Sequence, residues 1–527
     1  MRTKILGDFQ TPVPLAVQIV QSLKQDGIRW GRVLEPTCGK GNFIQALIEM
    51  GDTQSETIGI ELQGNYATEA DKKFEKQSNI RILRNNIFEL DLGHDLAWKS
   101  NQPLLVIGNP PWVTNSTMGL LGGENLPEKS NFKGLRGIDA ITGQANFDIA
   151  EFIWLKLIAD LAQTPAVIAL LCKTSVARNV LQYAQEALLP ISGASIKCID
   201  AKIWFDADVD ACLFTVLLNS GVSHYQASVY ESLDAQEPLT TIGYIGESFV
   251  SNVDLYKEFS FLDLQVHHDK RFIWRAGVKH DSASVMELRP VDGHWKNGFD
   301  EIVDVESEYL FPLLKSSDVK RFNGQAVDKA VIMTQRKVGE DTRHLEFSAP
   351  KLWKYLNKYQ HIFGARKSTI YKNKPPFSIF GVGDYTFAPY KVIISGFYKE
   401  PLFIPVGSIR GKEVLCDDTC YLLPFTSAIE AVMVAAALNH IVAKRFLKSI
   451  TFDDAKRPFT KNLLSRIDIA SLMAYLPQEE LRVGIKDLLK VFFSDQADIQ
   501  IPNNLLEIHD LFKTEKKISE NIQLPLF

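Results

Sequence analysis

The chain has 527 residues, of which 46% are hydrophobic and 23% are charged. These proportions are typical of globular proteins and exclude disordered and fibrous classes. The longest apolar runs, such as AVMVAAAL at 431–438, are much shorter than the ~20 residues that span a bilayer, so no membrane segment is expected. Six cysteines without CxxC spacing predict reduced thiols in a cytoplasmic protein and no metal site.

The net charge of −5 is unevenly distributed along the chain. Residues 1–250 carry 20 basic and 28 acidic side chains, whereas residues 251–527 carry 38 and 35. Within the second half, residues 351–400 carry 9 basic and 2 acidic side chains. Because a local patch sets the field that a polyanion meets, the second half is the part expected to face phosphates.

Strand-like apolar runs alternate with helical stretches between residues 30 and 220. The predicted strands are 32–36, 57–62, 80–83, 104–109, 166–172, 195–200 and 212–218, and the clearest helices are 42–50, 66–76 and 147–162. This alternation predicts a Rossmann-like α/β fold with a parallel, doubly wound sheet.

The pattern weakens at residues 219–250, which we interpret as a linker. The remaining chain mixes short strands with helices, most clearly at 428–449 and 478–493, and predicts a mixed α+β domain. The expected organisation is a catalytic domain at 1–225, a second domain at 240–512 and a tail at 513–527.

A glycine-containing turn follows the first predicted strand in the segment RVLEPTCGKGNF (32–43). Gly39 and Gly41 allow a sharp turn and the close approach of a ligand to a helix N-terminus, although the same residues also suit a simple strand-to-helix turn. Glu61 ends the next strand, where it can bind the two hydroxyls of a ribose. Glu35 would repel a pyrophosphate but suits an ammonium group, which favours S-adenosylmethionine over a dinucleotide.

The strand LLVIG leads directly into Asn109-Pro110-Pro111-Trp112, at the edge of the sheet where such folds bind ligands. The prolines fix a rigid turn, so the Asn109 amide oxygen and the Pro110 carbonyl can accept hydrogen bonds from one amino group. Trp112 can stack on the ring that carries this amine. Asn-Pro-Pro is also a good turn sequence, but a turn requires neither the tryptophan nor a buried strand before it.

EPTCGKGNF followed by NPPW resembles the S-adenosylmethionine-dependent adenine-N6 DNA methyltransferases of bacterial restriction–modification systems. DFQTP at 8–12 is similar to the motif that precedes the glycine loop in the gamma order, where the recognition domain comes last. The resemblance covers roughly residues 8–218. The segments 309–322 and 420–425 are similar to parts of the TaqI-type specificity domain.

The resemblance implies a set of cofactor contacts. Thr11 would contact the methionine end with Phe9 packing nearby, Glu35 would bind the ammonium group, and Asn109 would border both cofactor and target. The other implied contacts are the loop residues Thr37, Cys38, Gly39 and Gly41, then Glu61 on the ribose, Leu62 on the adenine, and Asn86 and Ile87 where the family usually has Asp-Phe. Phe152 matches a cofactor-packing aromatic and equally suits the core of a helix.

The segment 201–218 resembles the stretch whose aromatic residue stacks on the far face of the target base. Phe205 would then be the partner of Trp112 around a flipped adenine, with the adjacent Trp204 as the alternative.

Two segments are candidates for DNA contact. The glycine-rich segment 113–146 contains Lys129, Lys133 and Arg136, which either meet phosphates or remain solvated. Residues 351–398 combine aromatic and basic side chains, including Arg366, Lys367, Lys372 and Lys374. The aromatic residues also suit a core, but the excess of positive charge favours a surface that binds DNA.

The sequence therefore predicts an S-adenosylmethionine-dependent methyltransferase that acts on adenine N6 in double-stranded DNA without a metal. The alternatives are an enzyme of the same fold acting on RNA or on a protein glutamine amide, and a catalytically silent DNA-binding subunit. Because no acidic cluster with nuclease spacing stands out, restriction activity is expected on a separate polypeptide.

Overall fold

The computed structural model describes residues 10–112, 148–264, 271–494 and 499–501. The chain divides into two compact units, Met1–Asp254 and Leu255–Phe527. None of the helices in these described ranges has the length and apolar character needed to cross a membrane.

The first unit contains the strands β1 (Arg32–Glu35), β2 (Glu56–Glu61), β3 (Ile80–Arg84), β4 (Leu104–Gly108), β5 (Ala166–Lys173), β6 (Ile191–Ile199), β7 (Ala211–Leu218), β8 (Gln226–Tyr230), β9 (Thr240–Ile245) and β10 (Ser248–Val250). Its helices are α1 (Val13–Gln25), α2 (Asn42–Glu49), α3 (Gly64–Phe74), α4 (Ile149–Asp160), α5 (Thr174–Glu186) and α6 (Ala201–Phe205).

These strands form one sheet in the order β10-β9-β8-β6-β7-β5-β4-β1-β2-β3. The strands β3, β2, β1, β4 and β5 are parallel neighbours, as the alternating pattern predicts. The strand order reverses between β1 and β4, so their carboxyl ends border a crevice suited to ligand binding. The predicted α/β class and the seven predicted strands are thus found in the structure.

The sheet differs from the prediction on one side. Strand β7 runs antiparallel to both β5 and β6. The connection from β6 to β7 covers only residues 200–210, and a parallel crossover needs about a dozen residues or more. The predicted linker at 219–250 is wrong as well, because β8, β9 and β10 extend the same sheet and the first unit ends at residue 254.

In the second unit, the strands are β11 (Arg275–Ala276), β12 (Glu287–Val291), β13 (His294–Lys296), β14 (Ile302–Val303), β15 (Leu310–Leu314), β16 (Ala330–Ile332), β17 (Tyr390–Ser395), β18 (Phe403–Val406), β19 (Leu415–Cys416) and β20 (Cys420–Phe425). The helices are α7 (Val253–Phe259), whose first two residues belong to the first unit, α8 (Ala283–Met286), α9 (Leu345–Ser348), α10 (Pro350–Lys358), α11 (Gln360–Gly364), α12 (Ala428–Asn439), α13 (Ile441–Ile450), α14 (Lys461–Leu464), α15 (Ile469–Tyr475) and α16 (Gln478–Phe492).

Two sheets organise this unit, in the orders β11-β20-β17-β18 and β14-β13-β12-β16-β15-β19. Buried residues such as Leu313, Val331 and Leu352 form the core beside the second sheet. The helix predicted at 428–449 is instead two helices, because the backbone of His440 is extended and its Nδ1 accepts a hydrogen bond from the Val442 N–H at the start of α13.

Candidate active site

The first glycine loop joins β1 to α2 through two residues with left-handed backbones. Gly39 has φ +52° and Gly41 has φ +72°, conformations that favour glycine. The Gly39 N–H donates to Glu61 Oε2 at 2.8 Å, which ties the loop to the end of β2. A Cβ on Gly41 would lie 2.4 Å from the Phe74 ring, so this position has no room for a side chain.

A cavity of about 310 Å³ lies beside this loop. Ten of the residues that the resemblance implies for the cofactor line it: Thr11, Glu35, Thr37, Cys38, Gly39, Glu61, Leu62, Asn86, Ile87 and Asn109.

Two other residues of the predicted cofactor set are placed differently, and a third is not among the described residues. Gly41 does not line the cavity and shapes the turn instead. Phe152 is buried within α4 and also lies outside the lining, whereas Ile149 and Ile153 of the same helix face the cavity. The structure therefore favours the core role of Phe152. Phe9 lies outside the described residues.

Three buried oxygens of the cavity residues have no hydrogen-bond partner in the described part of the chain: Thr11 Oγ1, Glu35 Oε2 and Thr37 Oγ1. A buried polar atom without a partner costs about 1–3 kcal/mol, so such atoms mark places where a ligand supplies the partner. Two hydroxyls and a carboxylate suit the ammonium and carboxylate groups of S-adenosylmethionine. The residues present thus fit this cofactor.

The environment of the Glu35 carboxyl is strongly perturbed. Its side chain is fully buried, and this burial raises its pKa well above the ordinary value. The backbone N–H groups of Ile44 and Phe43 and the nearby Lys73 lower the pKa, but burial outweighs them. A cation bound beside Glu35 would offset this cost by favouring the ionised carboxylate.

Glu61 and Asn86 are both held by backbone donors. Glu61 accepts from the Gly39 N–H and, through Oε1, from the Gln63 N–H at 2.7 Å. Asn86 Oδ1 accepts from the Phe88 N–H at 3.1 Å and caps a short 3₁₀ turn. A carboxylate or amide oxygen has two lone pairs, so it can accept from a ligand as well as from the backbone.

The NPPW segment begins where β4 ends. Asn109 and Pro111 line the cavity. Pro110 is buried, and Trp112 is buried with its Nε1 donating to the Leu171 carbonyl at 3.4 Å. The segment therefore lies between the cofactor cavity and the end of β5.

Phe205, rather than Trp204, contacts the Trp112 ring. The two ring centroids are 5.3 Å apart and the planes meet at 70°, an edge-on contact. A base held between parallel rings needs about 7 Å between them, because each stacking contact takes about 3.5 Å. The predicted arrangement around a base therefore requires Phe205 to move away from Trp112.

Eleven cavity residues were missed by sequence reasoning: Gln10, Pro36, Asn42, Phe43, Ile60, Gln63, Tyr66, Asn85, Phe88, Ile149 and Ile153. Gln10 and Phe88 are sequence neighbours of predicted cofactor residues, so they could have been predicted from that proximity. Tyr66, Ile149 and Ile153 lie on helices that reach the cavity only through the tertiary fold.

Three of the four lysines and arginines predicted in the second unit remain available to a ligand. Lys367, Lys372 and Lys374 are exposed and form no ion pair with another described residue. Lys129, Lys133 and Arg136 of the first unit lie outside the described residues.

Arg366 is the exception, and its predicted DNA contact is corrected. Its Nη1 donates to the carbonyls of Ser378 at 2.7 Å and His280 at 3.2 Å. Its guanidinium also lies 3.6 Å from the centroid of the Tyr371 ring. Arg366 therefore cross-links segments of its own unit.

The chain was compared with protein families, curated proteins and solved structures. No family model matches it. It is 38% identical over 474 residues to the type II methyltransferase M.NspV of Nostoc sp. (strain ATCC 29411 / PCC 7524), an alignment that covers 89% of this chain and 98% of that protein.

Among solved structures, the type IIL restriction-modification enzyme MmeI in complex with DNA matches with a TM-score of 0.50 and 13% identity, over 96% of this chain and 76% of that one. A class I S-adenosylmethionine-dependent methyltransferase of Listeria monocytogenes, described as putative, matches with a TM-score of 0.30 and 12% identity, over 43% and 67%. The identity to M.NspV extends over nearly the whole of both chains. The chain therefore belongs to the family of type II DNA methyltransferases, and S-adenosyl-L-methionine is its methyl donor.

Proposed function

We propose that this methyltransferase modifies the N6 amine of an adenine that is flipped out of double-stranded DNA. The observation that carries the proposal is the place of Asn109, which follows β4 directly and lines the same cavity as Glu35 and Glu61. An amide oxygen that binds a planar amine thus stands next to the site that suits the methyl donor.

The NPPW residues would bind and orient the target amine. The Asn109 amide oxygen and the Pro110 carbonyl oxygen accept hydrogen bonds from the two N–H groups of the target amine. These hydrogen bonds draw the nitrogen lone pair out of conjugation with the ring. Trp112 provides an aromatic face for the base, and Phe205 covers the other face after it has moved from its edge-on position.

S-adenosylmethionine, when bound, supplies an electrophilic methyl group on a sulfonium centre. Glu35 would bind its ammonium group and Glu61 its ribose hydroxyls. Thr11 and Thr37 would hydrogen-bond its amino-acid end. These residues hold the methyl donor in place, and Asn109 holds the target amine. Holding both groups in the orientation for transfer increases the reaction rate.

The second unit would recognise the target sequence. Its exposed Lys367, Lys372 and Lys374 would contact phosphates, which position a protein on DNA without reading its sequence. Lys129, Lys133 and Arg136 are proposed to add further phosphate contacts. A separate restriction endonuclease is the proposed partner in the cell.

The test is methyl transfer from radiolabelled S-adenosylmethionine to genomic DNA from a bacterial strain without adenine methyltransferases, followed by mass spectrometry of the nucleosides. We expect N6-methyladenine with the wild-type protein. Asn109→Ala should reduce turnover by about 10²-fold or more, because a transition-state contact is lost, while cofactor affinity changes little. Label on another base, or more than a tenth of wild-type turnover in the variant, would contradict the proposal.

The same assay addresses substrates of other chemistry. Total RNA and a protein extract are offered in parallel with the DNA, since both also contain planar amines. Labelled RNA or labelled glutamine in place of labelled DNA would assign the site to a different methyl acceptor.

A further inference from the structure

Lys173 lies at the carboxyl end of β5, beside the catalytic segment. In the sheet register, Gly108 at the end of β4 pairs with Leu170 of β5. Leu171, Cys172 and Lys173 therefore continue past the end of β4 and flank residues 109–112. On its other side, this end of β5 is held by β7, where Lys173 pairs with Ala211.

The Lys173 ammonium group has two partners that are far apart in sequence. It lies 2.7 Å from Asp148 Oδ2 and 3.4 Å from the carbonyl oxygen of Trp112. Asp148 is buried, and a buried charge is costly unless an ion of opposite charge is paired with it. The side chain thus connects the last residue of NPPW to the residue that precedes α4.

Asp148 also contacts the helix that lines the cofactor cavity. Its Oδ1 accepts from the Ala150 N–H at 3.1 Å and caps α4. Ile149 and Ile153 of that helix line the cavity. The Lys173 ammonium group therefore connects α4, which lines the cofactor cavity, with the backbone of Trp112.

We propose that Lys173 is a positioning residue for methyl transfer: its ammonium group, paired with Asp148, holds Trp112 and the NPPW backbone in register with α4. This inference rests on the proposed function, in which Trp112 stacks on the target base. The Trp112 indole is also held by the Leu171 carbonyl, so Trp112 is attached to the end of β5 by both its ring and its backbone.

The variants separate positioning from general stability. Lys173→Met removes the charge and keeps the length of the side chain, and Lys173→Arg restores the charge. Lys156→Met is the matched control, because Lys156 forms an ion pair of the same 2.7 Å length with Asp160 of its own helix, α4, and no ion pair or hydrogen bond with a described residue of the NPPW segment.

The measurements are the single-turnover rate of methyl transfer to unmethylated genomic DNA at saturating radiolabelled S-adenosylmethionine, the Kd for the cofactor, and the melting temperature. Lys173→Met should transfer about tenfold more slowly or worse, because misplaced reacting groups lose rate steeply. Its cofactor Kd should stay within roughly twofold of wild type. Lys173→Arg should recover most of the rate, and Lys156→Met should keep it.

A near-normal rate in Lys173→Met, an equal loss in Lys156→Met, or no recovery in Lys173→Arg would each overturn the inference. If Lys173→Met does not fold, Asp148→Asn takes its place, since asparagine retains the helix cap and removes the charge. A normal rate in Asp148→Asn would then overturn it. If the wild-type protein itself transfers no methyl group to DNA, the proposed function fails, and this inference fails with it.

Discussion

Glu35→Gln tests whether the glycine loop holds the ammonium group of the cofactor. Glu35 is 2% exposed, lines the cavity and has an oxygen without a partner in the described residues. The substitution keeps the shape of the side chain and removes its charge. It should therefore weaken cofactor binding without collapsing the site.

The expected loss follows from the kind of contact that is removed. A hydrogen bond to a charged group contributes about 1.5–3 kcal/mol, which corresponds to an increase of roughly 10- to 150-fold in Kd. Because Glu35 is buried, water cannot replace its carboxylate in Glu35→Gln. The increase in Kd should therefore lie toward the upper end of this range.

The pH dependence has a definite sign. Burial raises the pKa of Glu35 in the free protein, so the carboxyl binds a proton below that pKa. A cationic ligand favours the ionised form, so cofactor affinity should rise with pH up to this pKa, and binding should release a proton. Because the pKa is higher in the folded than in the unfolded state, Glu35 costs no stability while it is protonated in both states, and the free energy of unfolding falls as pH rises from the unfolded-state pKa through the folded-state pKa. Glu35→Gln should therefore melt above wild type at high pH, with no difference below about pH 4.

Calorimetry in buffers of different ionisation enthalpy measures both the Kd and the released proton. Glu151→Gln is the matched control: Glu151 is also buried, burial raises its pKa to about 7, and it lies outside the cavity. This control should gain stability at high pH and bind the cofactor normally. Wild-type affinity in Glu35→Gln would refute the assignment of Glu35 to the ammonium group.

Three further predictions concern other parts of the site and the second unit. Gly41→Ala should lower the free energy of unfolding by about 1–3 kcal/mol in denaturant titrations, because the left-handed backbone is strained with a side chain. Phe205→Ala should slow methyl transfer by roughly 5- to 150-fold, the value of one stacked base, and leave cofactor affinity unchanged in calorimetry. Replacing Lys367 and Lys372 together with alanine should weaken binding to random and cognate duplexes alike and flatten the salt dependence by roughly one unit of slope per contact, whereas Arg366→Ala should lower the melting temperature and leave the slope unchanged.

The parts of the site that could be predicted are those where one short sequence segment contains all the residues that identify the feature. A strand that ends in Glu35 and a turn with two glycines need no tertiary information, and the structure has both in the predicted place. Asn109 followed the same rule, since it comes directly after a buried strand. Cavity residues on α3 and α4 could not be predicted in this way, because helix packing alone brings Tyr66 and Ile153 to the cavity.

Strands β8 to β10 escaped prediction because QASVY and its neighbours lack a long apolar run, and their pairing at the edge of an existing sheet is a tertiary effect. A count of charges along the sequence overstates the number of available cations for a similar reason. Lys351 and Lys358 of the basic segment pair with Asp304 and Glu301, which lie about fifty residues earlier in the chain. A count along the sequence cannot separate paired cations from available ones.

The ligand preference of the glycine loop follows from how its donors are used. The N-terminus of a helix after a glycine turn is a common site for phosphate, because its N–H groups are unsatisfied. Here the Gly39 N–H donates to Glu61, and the N–H groups of Phe43 and Ile44 act on the Glu35 carboxyl. Two carboxylates of the protein thus occupy the place that an anion would take. A phosphate would meet two acceptor groups in place of N–H donors, whereas a ligand with an ammonium group and a ribose finds an acceptor for each.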